Sequence, residues 1–169
     1  MNENLAANMG GPFLLFDIGT KKDSDRIDTF AIDVSNVFQV IELGHIAPVP
    51  LAPEVVLGIL NHHGNIVTIV DPAKILNLSA SSQKSTQAVI LRQNVRSSTQ
   101  LGFKVSHIWG ILPRNDLLVV PIPPQECIAW AAQVSLRLVK VLALTSLLES
   151  LSRLFGNIDS KLSLQGVTV

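Results

Sequence analysis

Apolar positions in this chain gather in short runs broken by turn residues, a pattern that predicts strands more often than helices. Phe13–Gly19, FLLFDIG, alternates loosely and predicts a first strand. A charged turn over Lys21–Arg26 follows, with Asp28 still polar beyond it, and Thr29–Val34 predicts a second strand. Ser35-Asn36-Val37 predicts a short helix or turn, where the Ser35 hydroxyl can cap by accepting a backbone hydrogen bond. Phe38–Leu43 predicts a third strand. Pro48, Pro50 and Pro53 punctuate the next stretch, and Pro53–Ile59 is expected to start a short helix. Asn61-His62-His63-Gly64 sits where a turn belongs. The run behind it holds four β-branched residues, Ile66, Val67, Ile69 and Val70, the composition of a buried strand. Asp71-Pro72 then gives a helix start, with a capping carboxylate ahead of a proline at the first helical position, and predicts a helix over Pro72–Leu78.

Ser79–Gln87, SASSQKSTQ, is polar, small and without periodicity, and reads as a linker. Beyond it the pattern repeats in style but not in identity. Ala88–Arg92, Leu101–Val105, Ile108–Leu112 and Leu117–Val120 predict strands, with a polar turn at Gln93–Thr99. Pro121, Pro123 and Pro124 stop regular structure. Cys127–Ala132 and Leu136–Ala143 predict a last strand pair. Leu147, Leu148, Leu151 and Leu154 recur at helical spacing, so Thr145–Phe155 predicts a helix with Thr145 as N-cap and Gly156 as its stop.

Composition narrows the function classes. Apolar residues make up 47% of the 169 residues and charged residues 15%, which fits a core-rich folded chain and leaves apolar surface over for partners. Thirteen basic residues balance thirteen acidic ones, so no clustered cation excess points to nucleic acid. The N-terminal residues carry neither a basic region nor a long apolar block, and Val134–Leu154 is too polar to span a bilayer, so no membrane insertion is expected. The single cysteine, Cys127, lies among apolar neighbours and is expected to be a buried thiol of a reducing compartment.

Candidate chemistry is thin. His62-His63 is the most tempting pair for a metal or a base, but neighbours on a strand point to opposite faces, so the rings are expected not to converge. His45 and His107 have no acidic cluster beside them. Asp71 reads as a cap, and Asp33 as outward-facing or bonded to the adjoining turn. Trp109 is expected in the core. Trp130 either fills space among Ala129, Ala131 and Ala132 or protrudes as a partner anchor. There is no phosphate loop, nucleophile elbow or pair of carboxylates at useful spacing, so no enzyme, cofactor or metal is expected.

The segment Gly58–Leu78 resembles the central motif of CheW-like domains, the coupling modules of bacterial chemosensory arrays. Gly58, Asn61, Gly64, Ile66, Val67, Ile69, Val70 and Asp71 match it, while His63 stands for the family arginine, Thr68 for a proline and Pro72 for a leucine. Further pieces are similar in order and spacing: FLLFDIG with FAIDV, Val37–Ile41 with Gln39 in place of a glutamate, Pro50–Pro53, LGFKVSHIWGIL with Ser106 in place of an aspartate, and LVKVLALTSLL with Ala143 for Asp or Asn.

The resemblance implies a mainly β fold of two small five-stranded SH3-like β-barrels packed side by side on a shared apolar seam, with short helices. It implies a tail over 1–12, one domain over 13–156 and a loose tail over 157–169. Within the domain the first barrel is expected at 13–78, the linker at 79–87, the second barrel at 88–144 and a C-terminal helix at 145–155. It implies a cytoplasmic, non-enzymatic adaptor, held at membrane receptor arrays through its partners. Those partners are the regulatory domain of a CheA-type histidine kinase and the cytoplasmic tip of methyl-accepting chemoreceptors. Val37, Gln39, Val40 and Ile41 would face the receptor, and Asn61, His62, His63 and Gly64 would form the kinase-coupling turn. The missing charges at His63 and Gln39 leave a second reading open: a helix-binding or array-filling module of a parallel motility or pili pathway that does not activate a kinase.

Overall fold

The computed structural model describes residues 10–20, 27–80, 87–92 and 100–164. Among them, twelve strands form two sheets. In chain order the elements are β1 (Phe13–Thr20), β2 (Ile27–Asp33), β3 (Val37–Glu42), β4 (Val56–His62), β5 (Asn65–Val70), α1 (Pro72–Ile75), β6 (Ser79–Ala80), β7 (Gln87–Leu91), β8 (Gln100–Val105), β9 (His107–Leu112), β10 (Leu118–Val120), β11 (Ile128–Val134), β12 (Arg137–Leu142) and α2 (Leu144–Leu164). The fold is mainly β, as expected. The polar turn expected at Gln93–Thr99 lies outside the described residues.

The strands do not divide at the expected linker. Sheet I has seven strands, in the order β10-β11-β12-β2-β1-β6, with β9 also paired to β1; sheet II has five, in the order β3-β7-β8-β5-β4. Sheet II is thus inserted between β2 and β9. A first barrel at 13–78 and a second at 88–144 do not describe this pairing, because β1 and β2 ladder with the late strands and β7 and β8 with the early ones. Ser79 and Ala80 are not linker either: they pair with Thr20 and Gly19 at the edge of β1.

Apolar burial explains why β1 lacks clean alternation. Leu14, Phe16 and Ile18 face a large cluster that also holds Phe30 and Ile32 of sheet I and Val70, Val89, Leu91, Phe103 and Val105 of sheet II. Phe13 and Leu15 face the interior of sheet I, with Ala31, Leu117, Ala132, Val139 and Val141. A strand buried on both faces reads as a continuous apolar run. A third cluster, with Ile41, Leu60, Val67, Ile69, Ala88 and Ile90, fills sheet II. The molecule therefore has two sheet interiors joined by one shared seam.

Several local readings change. Pro53–Ile59 is not a helix start: the Val56 N–H donates to the Pro53 carbonyl in a turn, and Val56 opens β4. The pairing of β4 with β5 slips between Val56 and Gly58, and Gly58 has φ 147°, so a bulge hides the strand from an alternation test. A side chain there would put a Cβ 2.3 Å from the Ala47 carbonyl oxygen, which makes glycine obligatory. Thr145 lies inside α2, where the Leu147 N–H donates to the Ala143 carbonyl, and α2 runs past Gly156 to Leu164. One interior glycine costs about 1 kcal/mol, too little to end a 21-residue helix. So 157–164 is not loose tail.

Other readings hold. Asp71 Oδ1 accepts from the Ala73 N–H at 3.1 Å and Pro72 opens α1. Asp33 accepts from the Ser35 N–H at 2.8 Å and the Gly11 N–H at 3.0 Å, and so caps the 3₁₀ turn Val34–Asn36 that carries the chain from sheet I to sheet II. Burial pushes its carboxyl up, but the hydrogen bonds from Ser35 and Gly11 outweigh that and hold it below the ordinary carboxylate value. Cys127 is buried.

Candidate protein-interaction surface

The two residue groups singled out in the sequence lie at the outer strands of sheet II. No ladder joins β3 to β4, yet His62 Nε2 and Gln39 Oε1 are 3.2 Å apart across the gap. The sheet curls enough for its two end strands to meet through side chains.

The turn between β4 and β5 is tighter than expected. Asn61 and His62 belong to β4, and the loop is His63-Gly64 alone, with His62 paired to Asn65. Both loop residues have positive φ, 51° at His63 and 86° at Gly64, the signature of a type I′ hairpin. Asn61 Oδ1 accepts from the Gly64 N–H at 2.8 Å and fixes the turn. Because His63 sits in the left-handed region and not on a strand, its ring swings back to 4.3 Å from the His62 ring. The rings do approach, contrary to the strand argument. Gln39, His62 and His63 thus form one chain of contacts between neutral or titratable groups, with no carboxylate in it.

β3 departs from the expected receptor face. Val37 pairs with Leu91 and Gln39 with Ile90, so Phe38 is the extra residue of a bulge. Arg92 braces this bulge, donating from Nε to the Ser35 carbonyl at 3.0 Å and from Nη2 to the Val37 carbonyl at 3.2 Å. Phe38 is 54% exposed and Gln39 beside it is exposed. Val37 and Val40 are half-buried against the seam. Ile41, expected on the receptor face, is a core residue of sheet II at 8% exposure, because the bulge turns Phe38 outward and Ile41 inward. Sequence reasoning missed Phe38, since alternation cannot register an extra residue.

Sheet I holds a second cluster. Trp109, expected in the core, is 47% exposed. The β1–β9 pairing skips from Leu15–Gly110 to Phe16–Ile108, so Trp109 too is a bulge residue. Its indole N–H donates to Asp17 Oδ2 at 2.8 Å, and the Thr29 hydroxyl donates to Asp17 Oδ1 at 2.7 Å. Asp17 itself is buried. The Arg137 guanidinium lies 3.8 Å over the Trp109 ring and the His107 ring 4.5 Å from it. Trp130 is half-buried, edge-on to Phe13 at 5.5 Å and under Arg114 at 4.8 Å, which makes it part of the packing of sheet I. Ser106, in the position of the family aspartate, has a buried hydroxyl with no hydrogen-bond partner among the described residues, while its N–H donates to the Asp17 carbonyl.

No group of three metal-ligating side chains occurs among the described residues, and none of their helices is long and apolar enough to cross a membrane. What these residues present is exposed rings and short polar contacts on two sheet surfaces, an arrangement suited to protein contact.

A family model described as the CheW-like domain matches residues 12–152. The chain belongs to the CheW-like family. It is 37% identical over 82 residues to a chemotaxis protein CheW of Thermotoga maritima, a match covering 48% of this chain. It spans about half the length of that curated relative, 52%. The crystal structure of the scaffolding protein TtCheW from Thermoanaerobacter tengcongensis superposes with a TM-score of 0.60 at 17% identity, over 78% of this chain and 89% of that one. At that identity the likeness speaks for the CheW-like fold alone.

Proposed function

We propose that this chain is a non-enzymatic adaptor of bacterial chemosensory signalling, working in the cytoplasm at receptor arrays. It binds the cytoplasmic tip of methyl-accepting chemoreceptors and the regulatory domain of a CheA-type histidine kinase. The observation that carries this reading is the family match over 12–152. The 37% identity to a chemotaxis protein CheW supports it. On this reading Phe38, with Val37, Gln39 and Val40 beside it, contributes to receptor binding. Asn61, His62, His63 and Gly64 form the kinase-coupling turn.

A specific observation favours a second reading for the kinase arm. The family arginine and glutamate are here His63 and Gln39, and both join His62 in one contact chain that needs no fixed charge. Histidine cannot make the forked contact of a guanidinium. A chain so built can bind receptors in a parallel motility or pili pathway, or fill an array, without activating a standard kinase. One charge-assisted hydrogen bond is worth about 1.5–3 kcal/mol. Reconstituted arrays with a standard CheA-type kinase separate the readings. Kinase coupling predicts activity above the adaptor-free baseline with the natural chain. The array-filling reading predicts receptor binding at baseline activity, with His63→Arg raising activity roughly tenfold or more. Failure to bind receptor fragments at all would overturn both.

A further inference from the structure

A cavity of about 390 Å³ opens on the interior side of sheet I, away from the β3 and β4 residues discussed above. Leu15, Thr29 and Val139 are buried in its floor, and Trp109, Leu136 and Arg137 form its rim. Three features of the rim are costly or unusual for a surface with no partner. Leu136 is 99% exposed at the tip of the β11–β12 hairpin, where Val134 pairs with Arg137. Turn tips favour Gly, Asn and Asp, and Ser135 before it already takes φ 52°. Trp109 is half-exposed yet fixed at its polar edge by a buried carboxylate. A large ring held in one orientation before contact loses little entropy on binding, which is the property of an interface anchor.

Charge decides the occupant. Among the described residues, Arg137 is the one charged residue lining the cavity. Its guanidinium is stacked on Trp109 at 3.8 Å, and among the described residues it takes part in no ion pair. Asp17 behind it is 2% exposed, with its oxygens committed to Thr29 and Trp109, so the rim presents a cation. A stacked guanidinium keeps its in-plane N–H donors for a carboxylate. We infer that this cavity docks a segment of a partner protein that carries an aliphatic side chain beside an Asp or Glu. The aliphatic group enters between Trp109 and Leu136, and the carboxylate pairs with Arg137. The inference stands apart from the proposed adaptor reading, since it uses none of the β3 or β4 residues.

The test is a two-dimensional ¹⁵N–¹H titration of the full chain. Its two tryptophans give two indole N–H signals, and Trp109→Phe assigns them. The probes are a capped helical peptide of alternating Leu and Glu positions, its counterpart with Lys for every Glu, and decanoate. The acidic peptide is expected to move the Trp109 signal saturably while the Trp130 signal stays put. Arg137→Gln, an exposed substitution, should weaken that binding about tenfold, and Leu136→Ser should weaken it too. Receptor-fragment binding by both variants should be unchanged, which separates failure of this inference from failure of the adaptor reading. The inference is overturned if the acidic peptide leaves the Trp109 signal still, if the lysine peptide binds equally well, or if Arg137→Gln binds like the natural chain. Decanoate binding as tightly as the peptide would reassign the cavity to small amphiphiles. A Trp109 shift with protein concentration alone would reassign it to a second copy.

Discussion

Sheet I and sheet II each expose an aromatic residue through a β-bulge, and they support it in opposite ways. At sheet I, Trp109 is tied to a buried carboxylate that also holds Thr29, and a guanidinium lies on its face. At sheet II, Arg92 braces the backbone at Ser35 and Val37 beside Phe38, and Gln39 and His62 share one exposed hydrogen bond. The first arrangement is built on a buried carboxylate and locked; the second is built on exposed groups open to water. A buried charge that loses its partners costs far more than an exposed neutral pair, because only the exposed groups have water to replace what they lose. The rigid site is therefore costly to alter, and the soft one is cheap to alter. The departures from the family motif at Gln39 and His63 fall on the soft side.

The comparison is broken most directly at Asp17. Asp17→Ala strands the Thr29 hydroxyl and the Trp109 indole, and should cost about 2–4 kcal/mol in denaturant unfolding. A loss below about 1 kcal/mol would mean that sheet I is no stiffer than sheet II. Asp33, at the crossover between the sheets, comes next. Asp33→Ala removes the cap of the 3₁₀ turn and should cost about 1 kcal/mol at neutral pH. Its folded carboxyl lies below the ordinary value, so its contribution is present above the carboxylate range and is lost as pH falls through the folded value. The stability gap between the natural chain and Asp33→Ala should therefore close in acid. A gap that stays constant down to acid unfolding would rule out the cap as its origin.

Two smaller effects sharpen the soft side. His63→Asn places a residue that tolerates the left-handed region ahead of Gly64 and should raise stability by up to about 1 kcal/mol. Any loss of partner binding in that variant then belongs to the ring and not to the fold. Gln39→Ala should change stability by no more than about 0.5 kcal/mol, since it removes one exposed neutral hydrogen bond.

How much of this was legible in the chain follows from the range of each signal. Most strands, the Asp71 cap and the Asp33 turn were legible, because they rest on residues within a few positions of one another. The interleaving of the sheets was not, since no local pattern says whether β2 hands over to a neighbour or to β12, more than a hundred residues on. The family resemblance supplied the two-part architecture and the seam, but not where the chain crosses between the parts. Phe38 and Trp109 are each the extra residue of a bulge, which no local pattern marks: Phe38 passed unremarked within its strand, and Trp109 was placed in the core on residue type alone. Pro53–Ile59 was read as a helix start from its proline, and the bulge at Gly58 interrupts the alternation that would have marked a strand. At α2 the single glycine was given too much weight.

We propose that this CheW-like chain works by binding through the exposed bulge of β3. Its most direct test is co-sedimentation with chemoreceptor cytoplasmic fragments, comparing the natural chain with Phe38→Asp. Phe38 is 54% exposed, so the substitution should leave the melting curve nearly unchanged. The natural chain is expected to sediment with the fragments, and Phe38→Asp to lower its affinity at least tenfold. Equal sedimentation of the two proteins, or none by the natural chain where a standard CheW sediments, would contradict it.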